Sequence, residues 1–451
     1  MRDLAFVGFL AALLALGFRR PFLFVLAYVY IDTVSPQRLS WYLLNSVPLS
    51  MIVASLAFAG WLLMDRKAGF RFTARQGLIT LLLAYAFYTT GRADFPIFAQ
   101  EKWDWASKAL AFAIFLPFTL RTKLRIEACL LFLVLSLSAI VIVGGIKTLV
   151  SGGGYGVLNL MVDNNSGLFE SSTVSTIAIA AIPLILWLAR FGTIFPPDWR
   201  VRIFAGALIF ACLLMPIGTE ARTGLVCMGA LAVLMLRDVR RRFLYLGGAA
   251  LITFAAVPFL PDSFTGRMAT IHSYEGDQSA GVRLAVWSST WNYAREHPLG
   301  GGFDAYRGNR IQVQTVASRQ AGDVLIVSAR TDEQQGRAYH SAFFEMLGEQ
   351  GFPGLFLFLL IHGAGLVRME IIRRRYRHDR GETAWIAPLA TALQHFQIVY
   401  LVGAAFVGIA YQPFPWLVLA IQIGFDTWVV RREREKRGPA RPFVPIPAVQ
   451  A

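Results

Sequence analysis

Apolar runs rich in Leu, Ala, Phe, Ile and Val recur along almost the whole chain, each bounded by a short polar stretch. They fall near 4–18, 21–34, 47–64, 77–92, 105–120, 126–147, 171–190, 203–218, 223–236, 243–260, 352–367, 385–411 and 413–430. A helix needs roughly 20 apolar residues to cross a hydrocarbon core about 30 Å thick. Backbone groups in lipid must be satisfied within their own segment, and these runs lack the alternation of barrel strands, so they predict helices. The first two are short and separated by Arg19 and Arg20, which fits two thin helices or one span plus an interfacial piece. The pattern therefore predicts an all-α integral membrane protein with about 12 transmembrane helices, 13 being allowed.

One connection breaks the rhythm. Residues 261–340 are neither apolar nor predominantly basic, and connections longer than about 12–15 residues are usually functional or disordered. Trp287, Trp291, Tyr293, Phe303 and Tyr306 stand there in helix-like or turn-like contexts, so the reading is an ordered loop with short helices. The expected organisation is a helical bundle over 1–260, the large loop over 261–340, further membrane helices over 341–430, and a basic, Pro-rich tail over 431–451. No internal repeat is evident.

A net charge of +15 in a soluble protein would suggest nucleic acid. Here Arg and Lys gather in short connections: Arg66, Lys67, Arg71 and Arg75; Arg121, Lys123 and Arg125; Arg237 with Arg240 to Arg242; Arg368 to Arg380; Arg431 to Arg441. Every second connection is basic, which is the positive-inside pattern and leaves no call for a nucleic-acid partner. That places the C-terminus in the cytoplasm and the large loop outside. At 56% hydrophobic residues the chain exceeds what a soluble fold hides. Cys129, Cys212 and Cys227 sit in apolar runs and suggest neither a disulfide framework nor a metal site. With only Arg2 as a basic lead and no small-residue cleavage site, the first apolar stretch is read as retained.

Three outer-side basic residues carry candidate chemistry. Arg222 lies at the mouth of the helix near 223, beside Glu220; it either snorkels to the interface or faces a partner. Arg283, Trp287 and Trp291 recur at spacings of four, one stripe of a helix. Pro298-Leu-Gly-Gly-Gly follows, and Gly301 and Gly302 give a backbone able to approach a ligand closely. His340 precedes a short helix, about 341–349, that breaks at Gly351 and restarts at Pro353. A helix N-terminus suits an anion, and an imidazole there titrates near neutral pH, although a lone His is more often structural. Glu220 and Glu345 are candidates to orient Arg222 and His340 respectively, or to serve as the base instead. Lys102, Glu101 and Asp163-Asn164-Asn165 are further outer-loop polar groups and candidate glycan contacts, which nothing in the sequence decides.

Taken in order, Ala221-Arg222-Thr223-Gly224, the Arg283-x-x-x-Trp287 stripe before Pro298-Leu-Gly-Gly-Gly-Phe303, and His340 with Glu345, Gly351, Gly354 and Leu355 resemble the O-antigen ligase family of polytopic glycosyltransferases. The opening MRDLAFVGFLAALLALGFRRPF, with Ser35 to Leu39, and the HSAFFEMLGEQGFPGLF segment resemble more narrowly the O-glycosylation ligases associated with exosortase systems. Ala221 and Ser341 stand where that family often has Ser and Asn. The resemblance implies a fold of the membrane-embedded glycosyltransferase (GT-C-like) type in the bacterial inner membrane. It implies transfer of a glycan from a polyprenyl (undecaprenyl) pyrophosphate carrier to a lipid, protein or glycan acceptor at the periplasmic face, with no cofactor and no metal. His340, Arg283 and Arg222 would be the catalytic groups, and Glu220, Glu345, Trp287, Gly301 and Gly302 the substrate-side ones. Arg guanidinium suits bidentate phosphate recognition, and a neutral imidazole suits general-base duty in a single inverting displacement. Competing readings are a polysaccharide polymerase with the same donor class, a lipid-linked glycan or solute transporter, and a membrane scaffold. A transporter would be expected to show repeats and interrupted midplane helices, neither of which the sequence shows.

Overall fold

The structure is a computed structural model that describes residues 2–151 except 41, 45, 66, 68 and 69, residue 168, residues 170–237, and residues 278–437 except 322 and 323. The apolar segment expected at 243–260, most of the Gly-rich connection 148–170 and the tail after Arg437 lie outside the described residues. The other apolar windows are helical: α1 (Arg2–Gly17), α2 (Phe22–Val34), α4 (Leu49–Met64), α5 (Ala74–Thr90), α6 (Pro96–Thr119), α7 (Lys123–Ser151), α8 (Ser171–Phe191), α9 (Trp199–Gly218) and α10 (Arg222–Leu236), with a single turn α3 (Pro36–Leu39) after α2. After the large connection come α12 (Ala342–Tyr376), α13 (Ile386–Ala404) and α14 (Pro413–Arg437). Among the described residues six helices, α7, α8, α9, α12, α13 and α14, are long and apolar enough to cross a membrane, and α1, α2, α4 and α10 are shorter apolar helices.

Two boundaries differ from the apolar windows for polar reasons. The window at 105–120 extends back to Pro96, a residue suited to a first helical turn, and so gains a polar turn with Glu101, Lys102 and Asp104. The window at 385–411 stops as a helix at Ala404, and residues 405–412 turn back before α14. The expected break in α12 is present: Gly351 has φ 63° and ψ −165°, and helical geometry resumes through Pro353. The large connection holds one 19-residue helix, α11 (Gln278–Glu296), and a two-stranded antiparallel hairpin, β1 (Arg310–Ala321) with β2 (Val324–Gln335), which the hydropathy pattern did not announce.

The bundle is organised around α8 and α13. Every residue of α8 from Thr173 to Ile185 is buried, and α13 packs against α8, α10 and α12. Small residues make such contact possible, because in lipid close backbone approach substitutes for a hydrophobic drive. A Cβ at Gly403 of α13 would stand 2.3 Å from the Thr176 methyl of α8. Outer helices turn large apolar residues outward, among them Leu4, Met51, Leu63, Phe87, Ile203 and Phe210.

One end of the bundle is basic and cross-braced. Arg125 grips Asp65 with two bonds (2.5 and 3.1 Å), Arg368 grips Asp426 (2.5 and 3.0 Å), Arg237 reaches Glu370 (3.1 Å) and Arg375 reaches Glu433 (2.9 Å). Exposed pairs of this kind contribute about 0–1 kcal/mol each, so they orient connections more than they stabilise the bundle. At the opposite end the chain closes over the break in α12. Gly301 and Gly302 donate their N–H groups to the carbonyls of Gly348 (3.0 Å) and Glu349 (2.9 Å), and Phe352 donates to Pro298 (3.0 Å). These are the carbonyls that a helix end leaves without partners. A Cβ at Gly351 would lie 2.2 Å from the Pro298 carbonyl oxygen, and its φ is one that L side chains avoid. Gly351→Ala is therefore expected to destabilise the protein by about 1–3 kcal/mol and to lower its melting temperature in detergent, whereas Gly363→Ala, in open space, leaves the melting curve in place.

Candidate functional site

The end that closes over Gly351 collects the sequence's candidate residues. Along α11, Trp287 stacks on Phe344 of α12 (ring centroids 5.0 Å apart, 6° between planes) and donates its indole N–H to the Tyr339 carbonyl (2.8 Å). One turn later Trp291 meets Phe352 edge-on at 5.8 Å. The stripe read from the sequence thus lies along α12, and its remaining member, Arg283, stands on the side of His340. Val286, Ile311 and Tyr339 form a small apolar cluster that seats α11 and the hairpin base on this surface.

His340 occupies the last position before the N-cap of α12, with φ 49°. The preceding backbone is pinned by Asn309, whose amide donates to the Arg337 carbonyl (2.7 Å) and whose side-chain carbonyl accepts from the Arg337 N–H (3.0 Å). His340 is exposed, but the protein around its ring removes part of its hydration, and Arg283 and then Arg337 add positive potential, opposed by Glu170. The outcome is a pKa below the ordinary 6.5, favouring the neutral, proton-accepting imidazole at neutral pH.

Glu170 ties this corner to the Arg222 corner. It caps α8, accepting from the Thr173 N–H at 2.6 Å, and one turn further Ser175 shares a hydroxyl hydrogen bond with Thr219 at 2.7 Å. Thr219 is followed by Glu220, buried and at φ 50°, and by Arg222, the first residue of α10. A Cβ at Gly224 would collide with Pro216 and touch Ser175, which brings the start of α10 close to α8. Left-handed non-glycine residues are uncommon, and three of the four among the described residues, Glu220, Asp304 and His340, stand at this end. Such strain gathers at functional sites because the surroundings over-determine it.

The structure places the other candidates behind this surface. Gly301 and Gly302 are buried, and their N–H groups are committed to the α12 carbonyls. Glu345 faces away into a buried charge cluster: Lys102 Nζ stands 2.7 Å from Glu345, 2.7 Å from Glu349 and 3.9 Å from Asp304. The second Glu345 oxygen accepts from the Ala410 N–H at 3.0 Å, and the Asp304 N–H donates to Glu349 at 3.0 Å. Among the described residues no three His, Cys, Asp or Glu side chains are grouped as metal ligands, and this acidic cluster is filled by the Lys102 ammonium. Asp163-Asn164-Asn165 lies outside the described residues.

Comparison with known families gives two matches, each to part of the chain. Residues 1–193 match a family of unknown function, DUF5935, and residues 207–359 match the family described as O-antigen ligase. Residues 207–359 are thus similar to the O-antigen ligase family. No curated protein matches the chain. The matched segment contains Arg222, Arg283, His340 and the Gly351 break together, and the match supports a membrane glycan ligase or polymerase role.

The sequence pattern places Lys102 on an outer loop as a candidate glycan contact, whereas the structure turns it inward to Glu345 and Glu349. Its own spacing carried the missing signal. Ala99, Lys102, Ala106, Ala109 and Ala113 recur at three and four residues, and the four alanines are buried on a helix that packs against α5 and α14. Diethyl pyrocarbonate reacts with neutral imidazole, so its pH-dependent labelling of His340, read by peptide mass spectrometry, should show a half-point below the ordinary histidine value. Arg283→Gln removes a positive neighbour and is expected to move that half-point upward.

Proposed function

We propose that this membrane protein transfers a glycan from a polyprenyl pyrophosphate carrier to an acceptor hydroxyl, as an O-antigen ligase or O-glycosylation ligase does, at a site on the outer face of the bacterial inner membrane. The observation that carries the reading is the packing of α11 on α12: Trp287, one turn after Arg283, stacks on Phe344 and donates to the carbonyl of Tyr339, the residue before His340, so that Arg283 and His340 come to one end of the bundle. The basic, cross-braced end lies opposite that surface, which suits a periplasmic site and a cytoplasmic C-terminus.

In the proposed reaction the acceptor O–H gives its proton to the His340 imidazole as its oxygen attacks the anomeric carbon. The bond from that carbon to the pyrophosphate oxygen breaks on the opposite face, the configuration inverts, and the carrier leaves as its diphosphate anion. Negative charge grows on that leaving group. Arg222 and Arg283 neutralise it with planar forks matched to phosphate oxygens, filling the place a metal takes in other transferases. Partial burial and the nearby guanidinium groups keep His340 in its basic, neutral form. Trp287 holds Arg283 in register with α12 through its stacking on Phe344. Glu220 orients Arg222, while Glu345, Gly301 and Gly302 support the surface from beneath.

Surface-glycan profiling of cells that carry His340→Ala or Arg283→Ala, with membrane protein quantified by immunoblot, tests the reading. At equal protein level the glycoconjugate is expected to fall by about 100-fold or more, the usual contribution of a general base, and the lipid-linked donor to accumulate. The lost product identifies the acceptor and separates ligase from polymerase. Normal glycosylation by both variants would remove these residues from the chemistry and favour a transport role.

A further inference from the structure

The segment matched by the family of unknown function does more than add helices to the bundle: it builds one wall of the O-antigen ligase site. The α5–α6 turn is fastened to the loop that closes over the Gly351 break. Asp94 donates its N–H to the Gly301 carbonyl (2.9 Å) and its carboxylate accepts the Tyr293 hydroxyl; Tyr85 donates to the Leu299 carbonyl (2.9 Å); Thr89 donates to the Gln350 side chain (2.6 Å). Phe98 of α6 lies under the Arg307 guanidinium at 3.5 Å. Ala93 leaves no room for a side chain at Gly302.

The strongest of these ties is Lys102. Its side chain is 12% exposed, its ammonium lies between Glu345 and Glu349 with Asp304 beyond, and the rings of Phe303 and Tyr411 flank it with centroids 5.6 and 5.7 Å away. The three carboxylates come from two elements, the first helical turns of α12 and the loop after Gly302. Without a cation they would repel one another in a site with little water. Glu345 stands in the first turn of α12, and its N–H bonds the Ser341 carbonyl, the residue that follows His340. A shift of Glu345 is therefore a shift of the chain that carries His340.

We infer that Lys102 is a positioning residue for the ligase site: it draws Glu345, Glu349 and Asp304 together and so fixes the start of α12, holding His340 against Arg283. This rests on the site reading given under the proposed function. Lys102 is turned inward to carboxylates, so it acts through the protein and does not touch the donor.

The experiment measures two things on the full-length protein in each variant: transfer per molecule of membrane protein in cells, and the pH half-point of diethyl pyrocarbonate labelling at His340 in the purified chain. Lys102→Met should lower transfer roughly tenfold or more, in keeping with the rate lost when a reacting group is misplaced by about 1 Å. It should also move the His340 half-point up towards the ordinary value as the ring leaves Arg283 and Arg337. Lys102→Arg keeps the charge and should retain most of the transfer. Because Lys102→Met leaves three carboxylates without their cation, Lys102→Met/Glu345→Gln/Glu349→Gln provides a variant with fewer buried charges; it should accumulate in the membrane yet keep both the low transfer and the raised half-point. If either Met-bearing variant shows wild-type transfer per molecule and an unmoved half-point, Lys102 is a structural brace only and the inference is overturned. If instead His340→Ala retains transfer, the site reading has failed, and the labelling half-points still report separately whether Lys102 sets the surroundings of His340.

Discussion

A helix broken inside a protein has to find partners for the carbonyls it abandons, and the break of α12 at Gly351 sets that demand at the centre of the site. The answer comes from backbone: Gly301 and Gly302 approach closely enough to donate to Gly348 and Glu349, and Pro298 accepts from Phe352. No residue with a Cβ fits at Gly300, Gly301 or Gly302, where added atoms would fall within 2.1–2.5 Å of neighbours. Once that strand of backbone is docked, Asp304 is carried to Glu349, Tyr306 meets Tyr339 edge-on at 5.6 Å, and the end of α11 lies beside Phe352. The position of His340 is thus the last consequence of a hydrogen-bonding requirement some ten residues downstream in α12.

Docking backbone to backbone brings carboxylates with it, and charge then becomes the second constraint. Glu349 is fully buried and Glu345 nearly so. Burying an isolated carboxylate costs several kcal/mol even after relaxation, and a pair or network recovers that only when the remaining lone pairs are bonded. Lys102, the Ala410 N–H and the Asp304 N–H perform that service for three of the four oxygens of Glu345 and Glu349. A surface that must present positive groups outward is in this way backed by a locally acidic interior, which keeps Lys102 turned inward and leaves Arg283 and Arg337 near His340.

Most of the helical architecture was legible in the sequence because lipid enforces it: the apolar windows, the basic connections and the Gly351–Pro353 break each have one physical solution. The stripe of Arg283, Trp287 and Trp291 was legible as well, and its two tryptophans do face one helix. The hairpin was not. Strands such as RIQVQTVASRQA alternate weakly, and in a long polar connection nothing in the periodicity separates them from an irregular loop. Gly301 and Gly302 read equally well as a ligand cradle or as a helix-end dock, since both demand backbone without side chains. Glu345, five residues after His340, reads as its partner along the chain, yet the rotation of the helix turns it towards Lys102. What a contact map decides, a spacing rule could only propose.

The division into two matched families does not correspond to two physical units. Helix α8 belongs to the first segment, yet its residues from Thr173 to Ile185 are buried among α7, α9, α10 and α13, and its cap Glu170 acts on the His340 of the second. Lys102 and Asp94, also from the first, hold the helix break and the glycine loop of the second. An O-antigen ligase domain isolated at residues 207–359 would lack the cation for its buried carboxylates, the hydroxyl partner of Gln350 and the helix against which α10 starts. Under the proposed function, the arginines and histidine of the site are supplied by one segment, and the contacts that fix their surroundings are supplied by the other. The unit that would carry the proposed reaction is the assembled bundle, so the segment of unknown function is part of the candidate site's construction and not an appendage to it.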